Sequence, residues 1–287
     1  MRGILLVGGS GTRLYPSTNV VSKQLLPVYD KPLVYYSLST LMLAGAREIL
    51  LITNLEYIEM YKILLGSGEK FGIKIEYAVQ DKPRGIAEAL IIGANFIGDQ
   101  SVVLILGDNL FHGTDLGTQL SSFKNISGAV IFGYWVSNPI EYGVVEINPA
   151  GEILSIEEKP RLPKSSYAIP GLYFFDNKAP EIARAVEPSD RGEIEITSVI
   201  STYHQNGELQ VSILPRGVMW MDTGTANGLH DASTYVRIVE ERQGLKVNCP
   251  EEVAWRQGWL TESQFRKLIA SYGTNSYSDY LLRILDR

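Results

Sequence analysis

The chain is poor in the residues that most catalytic and structural devices require. It has one cysteine, Cys249, in 287 residues, so neither a disulfide framework within one chain nor a cysteine-built zinc site is available. It has three histidines, His112, His204 and His230, with no His-x-His pair, which leaves no obvious histidine nucleophile. Basic charge is not in excess: 26 Lys and Arg against 32 Asp and Glu give a formal net charge of −6, which argues against broad nucleic-acid binding. No apolar run approaches the ~20 residues of a membrane span. The opening run Ile4-Leu5-Leu6-Val7 stops at Gly8, too short for a secretory core. A reducing, cytoplasmic setting is therefore expected. Gly-x4-Gly-Lys-Ser/Thr is missing, and three places after Gly11 stands Leu14 rather than a third glycine, so neither a P-loop nor a dinucleotide fingerprint is present.

What is present is an ordinary globular composition, 45% hydrophobic and 20% charged. In the first half, strand-like and helix-like runs alternate. Strands are expected at Arg2–Val7, Ile49–Thr53, Ile73–Ala78 and Val102–Leu106, and helices at Pro32–Ala44, Glu56–Leu65 and Ile86–Phe96. That rhythm predicts an α/β fold with a mostly parallel mixed sheet and helices on both faces. The middle reads as a small β insertion with strands at Ala129–Val136, Val144–Ile147, Ile153–Glu157 and Ala168–Phe175. A helix at Glu195–His204 and strands at Leu209–Leu214 and Val218–Met221 return to the main pattern. The last third is helical: Thr225–Gln243, Pro250–Gln257, and Phe265–Ala270 behind the capping-box spacing Thr261–Gln264. We divide the chain into an α/β domain, 1–243, and a helical C-terminal appendage, 244–287, that is not an independent domain.

Gly8-Gly9-Ser10-Gly11-Thr12-Arg13 follows the first strand directly. Glycines at the carboxyl end of a parallel strand let backbone N–H groups approach an anion. Arg13 and Lys23 add charges suited to phosphate oxygens. Asp108 follows the strand Val102–Leu106, and Asp222 lies between a strand and a helix. Each reads as a turn or capping residue or as a ligand for Mg²⁺, which takes a few carboxylates plus phosphate oxygens and water.

The run Gly8 to Pro16, then Ser22-Lys23-Gln24-Leu25-Leu26-Pro27, resembles the nucleotidyltransferases that activate sugar 1-phosphates, most closely their thymidylyltransferase branch. Similar stretches recur at Leu106-Gly107-Asp108-Asn109, Tyr142-Gly143-Val144-Val145-Glu146, Glu157-Glu158-Lys159-Pro160, Gly171-Leu172-Tyr173-Phe174-Phe175-Asp176, Arg191-Gly192-Glu193-Ile194-Glu195-Ile196-Thr197 and Trp220-Met221-Asp222-Thr223-Gly224-Thr225. The resemblance implies a Rossmann-like fold and the reaction of dTTP with glucose 1-phosphate, giving dTDP-glucose and pyrophosphate with Mg²⁺, a first step toward dTDP-rhamnose and related deoxysugars. It implies a catalytic set of Arg13, Lys23, Asp108, Lys159 and Asp222, with Asp108 and Asp222 on the metal. Nucleotide contacts fall to Gly8, Gly9, Gly11, Thr12, Arg13, Gln24, Gln80, Pro83, Gly85 and Asp108. Sugar-phosphate contacts fall to Asn109, Gly143, Glu158, Lys159, Ile169, Gly171, Arg191 and Asp222. A homotetramer is implied, with feedback inhibition by dTDP-rhamnose through the tail that carries Trp255, Trp259, Phe265, Tyr272 and Tyr277, although ordinary core packing accounts for most of those aromatics.

The chain departs from the family pattern at Val7, Arg84, Glu88 and Ile169-Pro170. The departures at Arg84 and Glu88 bear on base preference. Alternatives left open are a uridylyl or other sugar-1-phosphate nucleotidyltransferase, and a non-catalytic subunit that binds sugar nucleotides.

Overall fold

The computed structural model describes residues 1–9 and 11–285; Ser10 of the glycine loop lies outside the described residues. Among these, ten strands form one mixed sheet. Arg2–Leu6 is central, pairing in parallel with Glu48–Thr53 on one side and Val102–Leu106 on the other, and Lys74–Val79 extends the parallel half to the edge. Beyond Val102–Leu106 the sheet turns antiparallel through Leu172–Phe175 and Ala129–Trp135. Tyr167–Ile169, Gly143–Ile147 and Ile153–Glu158 then carry it outward. Leu209–Ile213 runs parallel to Ala129–Trp135. The central strands are apolar at nearly every position because both faces are covered: Ile4, Leu5, Val103, Leu104 and Ile105 are buried.

Two apolar cores flank the sheet. On one face the helix Leu33–Leu43 is buried almost all round, as a helix must be when it has apolar residues on every side. It contributes Val34, Leu38, Leu41 and Met42 to a core shared with Phe71, Phe111 and the tail residues Val253, Phe265, Leu268 and Leu281. On the other face Leu90, Ala183, Val199 and Tyr203 pack on Ile4, Leu50 and Leu104. The tail helices Pro250–Arg256, Glu262–Ser271 and Ser276–Leu285 thus bury their apolar sides in the main core. Their aromatics do the packing: Phe265 stacks on Trp255 at 5.1 Å, and the hydroxyls of Tyr272 and Tyr277 donate to the buried Glu251 carboxylate at 2.6 and 2.8 Å. The capping box at Thr261 forms in both directions.

Several elements differ from the sequence expectation in ways that matter for the site. The run expected as one strand, Ala168–Phe175, is two. It breaks at Pro170-Gly171, because proline cannot donate to a ladder, and the halves lie on opposite sides of Ala129–Trp135, one also pairing with Gly143–Ile147 and the other with Val102–Leu106. The helix expected at Ile86–Phe96 divides at Gly93 into Glu88–Ile92 and Ala94–Ile97; a Cβ at Gly93 would fall 2.8 Å from Ile4 Cδ1, so the close approach to the sheet requires glycine there. Asn109–His112, to which the sequence reading assigns no element, is a strand. It pairs antiparallel with Met219–Asp222, setting Asp222 opposite Asn109.

Candidate active site

Four parallel strands release their chains at the same edge of the sheet. Val7 N–H donates to Ile52 O, Gly107 N–H to Leu6 O and Gln80 N–H to Thr53 O, so Gly8, Asn54, Gln80 and Asp108 emerge side by side. Ligands of open α/β sheets collect at this edge. Here it carries two joined hollows. One, of about 190 Å³, is lined by Gly8, Gly9, Gln24, Gln80, Pro83, Gly85, Asp108 and Glu193. The other, of about 550 Å³, is lined by Arg13, Asp108, Asn109, Tyr142, Gly143, Glu158, Lys159, Ile169, Gly171, Trp220 and Asp222 among others. Asp108, Leu106 and Ile86 belong to both.

The short ribbon of Asn109–His112 and Met219–Asp222 brings together two carboxylates that sequence spacing could not join. Thr223 fixes the crossing, its N–H and Oγ1 donating to Asp108 O at 3.0 and 2.8 Å. Asn109 occupies the junction. Its Oδ1 accepts from Trp220 Nε1 at 2.6 Å and from Gly171 N at 3.0 Å, while Nδ2 donates to Asp108 Oδ1 at 3.0 Å. One amide therefore holds the indole floor of the larger hollow, the backbone break at Gly171 and the Asp108 carboxylate.

Charge alternates around the pair. Lys23 Nζ forms an ion pair with Asp108 Oδ2, and Arg13 lies beside Gly224 and Asp222, its Nη2 2.7 Å from where a Cβ on Gly224 would stand. Burial would raise the Asp108 carboxyl, but the Lys23 ammonium, together with the Asn109 amide and a backbone hydrogen bond, holds the group below the usual carboxylate range. Asp222 goes the other way: burial, then the facing Asp108 carboxylate, push it up, against the Gly224 N–H, Lys23 and Arg13. Glu158 is likewise raised, first by burial and then by Glu195, with Lys159 and Arg191 opposing.

Among the described residues no group of three or more His, Cys, Asp and Glu side chains gathers as a metal cage. Two facing carboxylates, one destabilised by the other, nevertheless fit a cation that draws its remaining ligands from phosphate oxygens and water.

Lys159 stands on strained backbone. Its φ is +43°, unusual for a bulky side chain and especially so before a proline. Its N–H is tied to Tyr142 O at 3.1 Å. Such strain concentrates at functional positions, and here it sits at Lys159 in the wall of the larger hollow. Space is short at both glycines of that wall: a Cβ at Gly171 would clash at 2.6 Å from Leu106 Cδ1, and one at Gly143 would be tight at 3.1 Å from Thr197 Cγ2.

Not every residue expected at the site lines it. Gly11 and Thr12 lie past the hollows in the turn after the glycine loop, where Thr18 Oγ1 binds Gly11 O at 2.8 Å. Arg191 sits behind Glu158, its guanidinium on Glu195 at 2.8 Å. Gln24 lines the smaller hollow, but its Oε1 accepts from Ser22. Conversely, Glu141, Tyr173, Glu193, Thr197, Trp220 and Thr225 line the hollows without having been given a role from sequence. All stand inside the recurring stretches except Glu141, which stands beside one, and that adjacency was the only available signal. Arg84 and Glu88 prove to be partners: Glu88 Oε1 accepts from Arg84 Nε at 2.7 Å and also from Nη2.

The arrangement is that of a nucleotide-handling transferase, and comparison with known proteins agrees. Residues 2–237 match the nucleotidyl transferase family, and the chain belongs to that family. Over all 287 residues it is 55% identical to the glucose-1-phosphate thymidylyltransferase of Mycobacterium tuberculosis (strain ATCC 25618 / H37Rv), each chain covered in full. The enzyme of the same name from Neisseria meningitidis serogroup A is 51% identical over 288 residues, again with both covered in full. Among solved structures, a putative glucose-1-phosphate thymidylyltransferase from Bacillus anthracis in complex with sucrose superposes with a TM-score of 0.77 at 38% identity, covering 83% of this chain and 95% of that one. A UDP-glucose pyrophosphorylase bound to UDP-glucose shares the fold, with a TM-score of 0.73 at 23% identity over 83% of this chain and 98% of its own. No helix among the described residues is long and apolar enough to cross a membrane.

Proposed function

We propose that the protein is a cytoplasmic enzyme that transfers a thymidylyl group from dTTP to α-D-glucose 1-phosphate, releasing pyrophosphate by a single in-line displacement. The observation that carries this reading is the continuity of the two hollows across Asp108. A glycine-walled slot suited to a base opens onto a larger chamber that holds Lys159, and between them lies a paired-carboxylate, paired-cation centre.

In this reading Gly8 and Gly9 lie along the nucleotide, and Gly85 lines the slot for the base, a position only glycine can hold because its φ is +100° and a Cβ would fall 2.4 Å from Ile194 O. Lys159 binds the phosphate of glucose 1-phosphate and aligns its oxygen on the α-phosphorus, while Glu158 takes sugar hydroxyls. Arg13 and Lys23 lower the negative charge that accumulates around the leaving pyrophosphate. Catalysis is chiefly positioning and charge neutralisation, because a phosphate monoester oxygen needs no activation by a base. Asp108 and Asp222 would hold Mg²⁺, which when bound supplies charge stabilisation at the phosphates. The experiment is a matrix of nucleoside triphosphates against sugar 1-phosphates, assayed for pyrophosphate. Release with dTTP and glucose 1-phosphate supports the reading. Binding of both without release at any Mg²⁺ concentration points to a non-catalytic subunit.

The proposal extends to a homotetramer inhibited by dTDP-rhamnose. The tail aromatics Trp255, Phe265, Tyr272 and Tyr277 are taken up in packing, so the support comes from outside the tail: a separate cavity of about 790 Å³, lined by Trp135, Tyr167, Arg216 and Tyr235, offers aromatic faces and a guanidinium to an anionic sugar nucleotide. Light scattering that finds a monomer overturns the assembly.

A further inference from the structure

Gln80 is buried at the floor of the smaller hollow, and its amide is held on one side only. Nε2 donates to Glu88 Oε2 at 2.8 Å and to Gly85 O at 3.3 Å, so both of its protons are engaged inside the protein. Glu88, with 5% of its side chain exposed, gives its other oxygen to Arg84. A carboxylate only accepts. Turning the Gln80 amide over would set its oxygen against Glu88 Oε2, so the chemistry of the neighbour fixes which end points where, an assignment geometry alone often leaves open. Gln80 Oε1 then faces the glycine loop, 3.0 Å from the point where a side chain on Gly8 would begin, with Asn54 Oδ1 3.2 Å from the same point.

We propose that Glu88 is a positioning residue that makes Gln80 a hydrogen-bond acceptor toward the base and so selects bases that carry a ring N–H. This rests on the nucleotide entering the glycine-walled hollow as proposed above. Thymine and uracil present an N–H between two carbonyls. Cytosine presents a lone pair at the same ring atom and would meet Gln80 acceptor to acceptor. A buried acceptor left without a donor is penalised heavily enough to discriminate. Arg84 supports the lock from outside, holding the Glu88 oxygen that does not face Gln80. The inference is specific to this pair of residues: an amide at position 88 both donates and accepts, so either orientation of Gln80 finds a partner.

The test compares the parent with Glu88→Gln, Glu88→Asp and Arg84→Met. Dissociation constants for dTTP and dCTP are measured by calorimetry without sugar phosphate, alongside kcat/KM for each nucleotide. The parent should favour dTTP by about 100-fold or more. Glu88→Gln should narrow that ratio about tenfold, chiefly through better binding of dCTP, while the KM for glucose 1-phosphate stays within about twofold. Glu88→Asp, which keeps the carboxylate, should retain more of the ratio than Glu88→Gln. Arg84→Met removes a side chain that is 60% exposed and leaves the core intact; it should erode the ratio by about two- to threefold. A parent that does not discriminate, a ratio unchanged in Glu88→Gln, or equal losses for both nucleotides would each overturn the proposal. Failure of the proposed activity shows separately, as dTTP binding without pyrophosphate release, and the binding ratios still decide the role of Glu88.

Discussion

Asn109→Ala tests the claim that one buried amide organises the site. The substitution leaves Trp220 Nε1 and Gly171 N without their acceptor and Asp108 Oδ1 without its donor. Asn109 is 3% exposed and Trp220 is 7% exposed, so water replaces these partners poorly. An orphaned buried group costs about 1–3 kcal/mol, and three groups that share one partner do not add fully. A loss of about 3 kcal/mol is the expected outcome, which in a chain of this size lowers Tm by roughly 6–12 °C. Asn109→Asp separates two parts of that loss. It keeps the acceptor for Trp220 and Gly171 but sets a second carboxylate where Nδ2 met Asp108 at 3.0 Å, so one of the two must hold a proton or repel. Its Tm should lie between those of the alanine variant and the parent, while turnover falls at least as far as in the alanine variant. Differential scanning fluorimetry and a pyrophosphate-release assay read the two quantities. An alanine variant that melts within about 2 °C of the parent would refute the reasoning, since the three contacts would then contribute nothing measurable.

Other outcomes follow from the charge pattern. Asp222 has its folded pKa raised above the unfolded value of 3.8, so its contribution to stability is present below that value and is lost as pH rises through the folded pKa. Asp222→Asn should therefore raise the Tm of the metal-free protein at pH 7, by an amount that shrinks toward pH 4, while cutting turnover about 1000-fold or more; a lower Tm at pH 7 contradicts the sign. Lys159→Ala should raise the KM for glucose 1-phosphate by about 10- to 150-fold, for a lost charged hydrogen bond of about 1.5–3 kcal/mol, and change that for dTTP far less. Equal changes for both substrates would remove its assigned role. Transfer should invert configuration at the α-phosphorus, and labelled pyrophosphate should not exchange into dTTP without sugar phosphate; retention, or exchange without sugar, would reveal a nucleophile. Phe265→Ala should cost about 3–5 kcal/mol by emptying a site under Trp255, and chemical denaturation showing under 1 kcal/mol would detach the tail from the main core.

Elements with strong local signals were legible in the sequence. The parallel strands read directly because both their faces are buried, and the capping box at Thr261 announced its helix. What escaped depended on partners far along the chain. Asn109-Leu110-Phe111-His112 is four residues after a Gly-Asp turn, too short to show a period, and becomes a strand only through Met219–Asp222. Pro170-Gly171 lies inside an apolar run, and only the placement of its halves on opposite sides of Ala129–Trp135 reveals the break. The meeting of Asp108 with Asp222 is invisible in spacing and came only through family resemblance, as did the roles of Lys159 and Glu158. Arg84 and Glu88 read as two separate departures, since nothing local said that each answers the other.

The clasp between Asn109 and Trp220 joins positions 111 residues apart, and this sets an order of events during synthesis. The parallel half of the sheet has all its strands once the chain has passed Leu106, whereas the carboxylate pair has to wait until Asp222 has left the ribosome and found its place across the ribbon. A nascent chain stopped short of that point owns a glycine loop and the residues of the Lys23–Asp108 ion pair but not the second carboxylate. The ribbon is also a two-stranded sheet of its own, apart from the ten-stranded one, and so can open locally without it. Amide exchange at Leu110 and Met221 should then report the integrity of the reaction centre on its own, apart from the stability of the sheet beneath it.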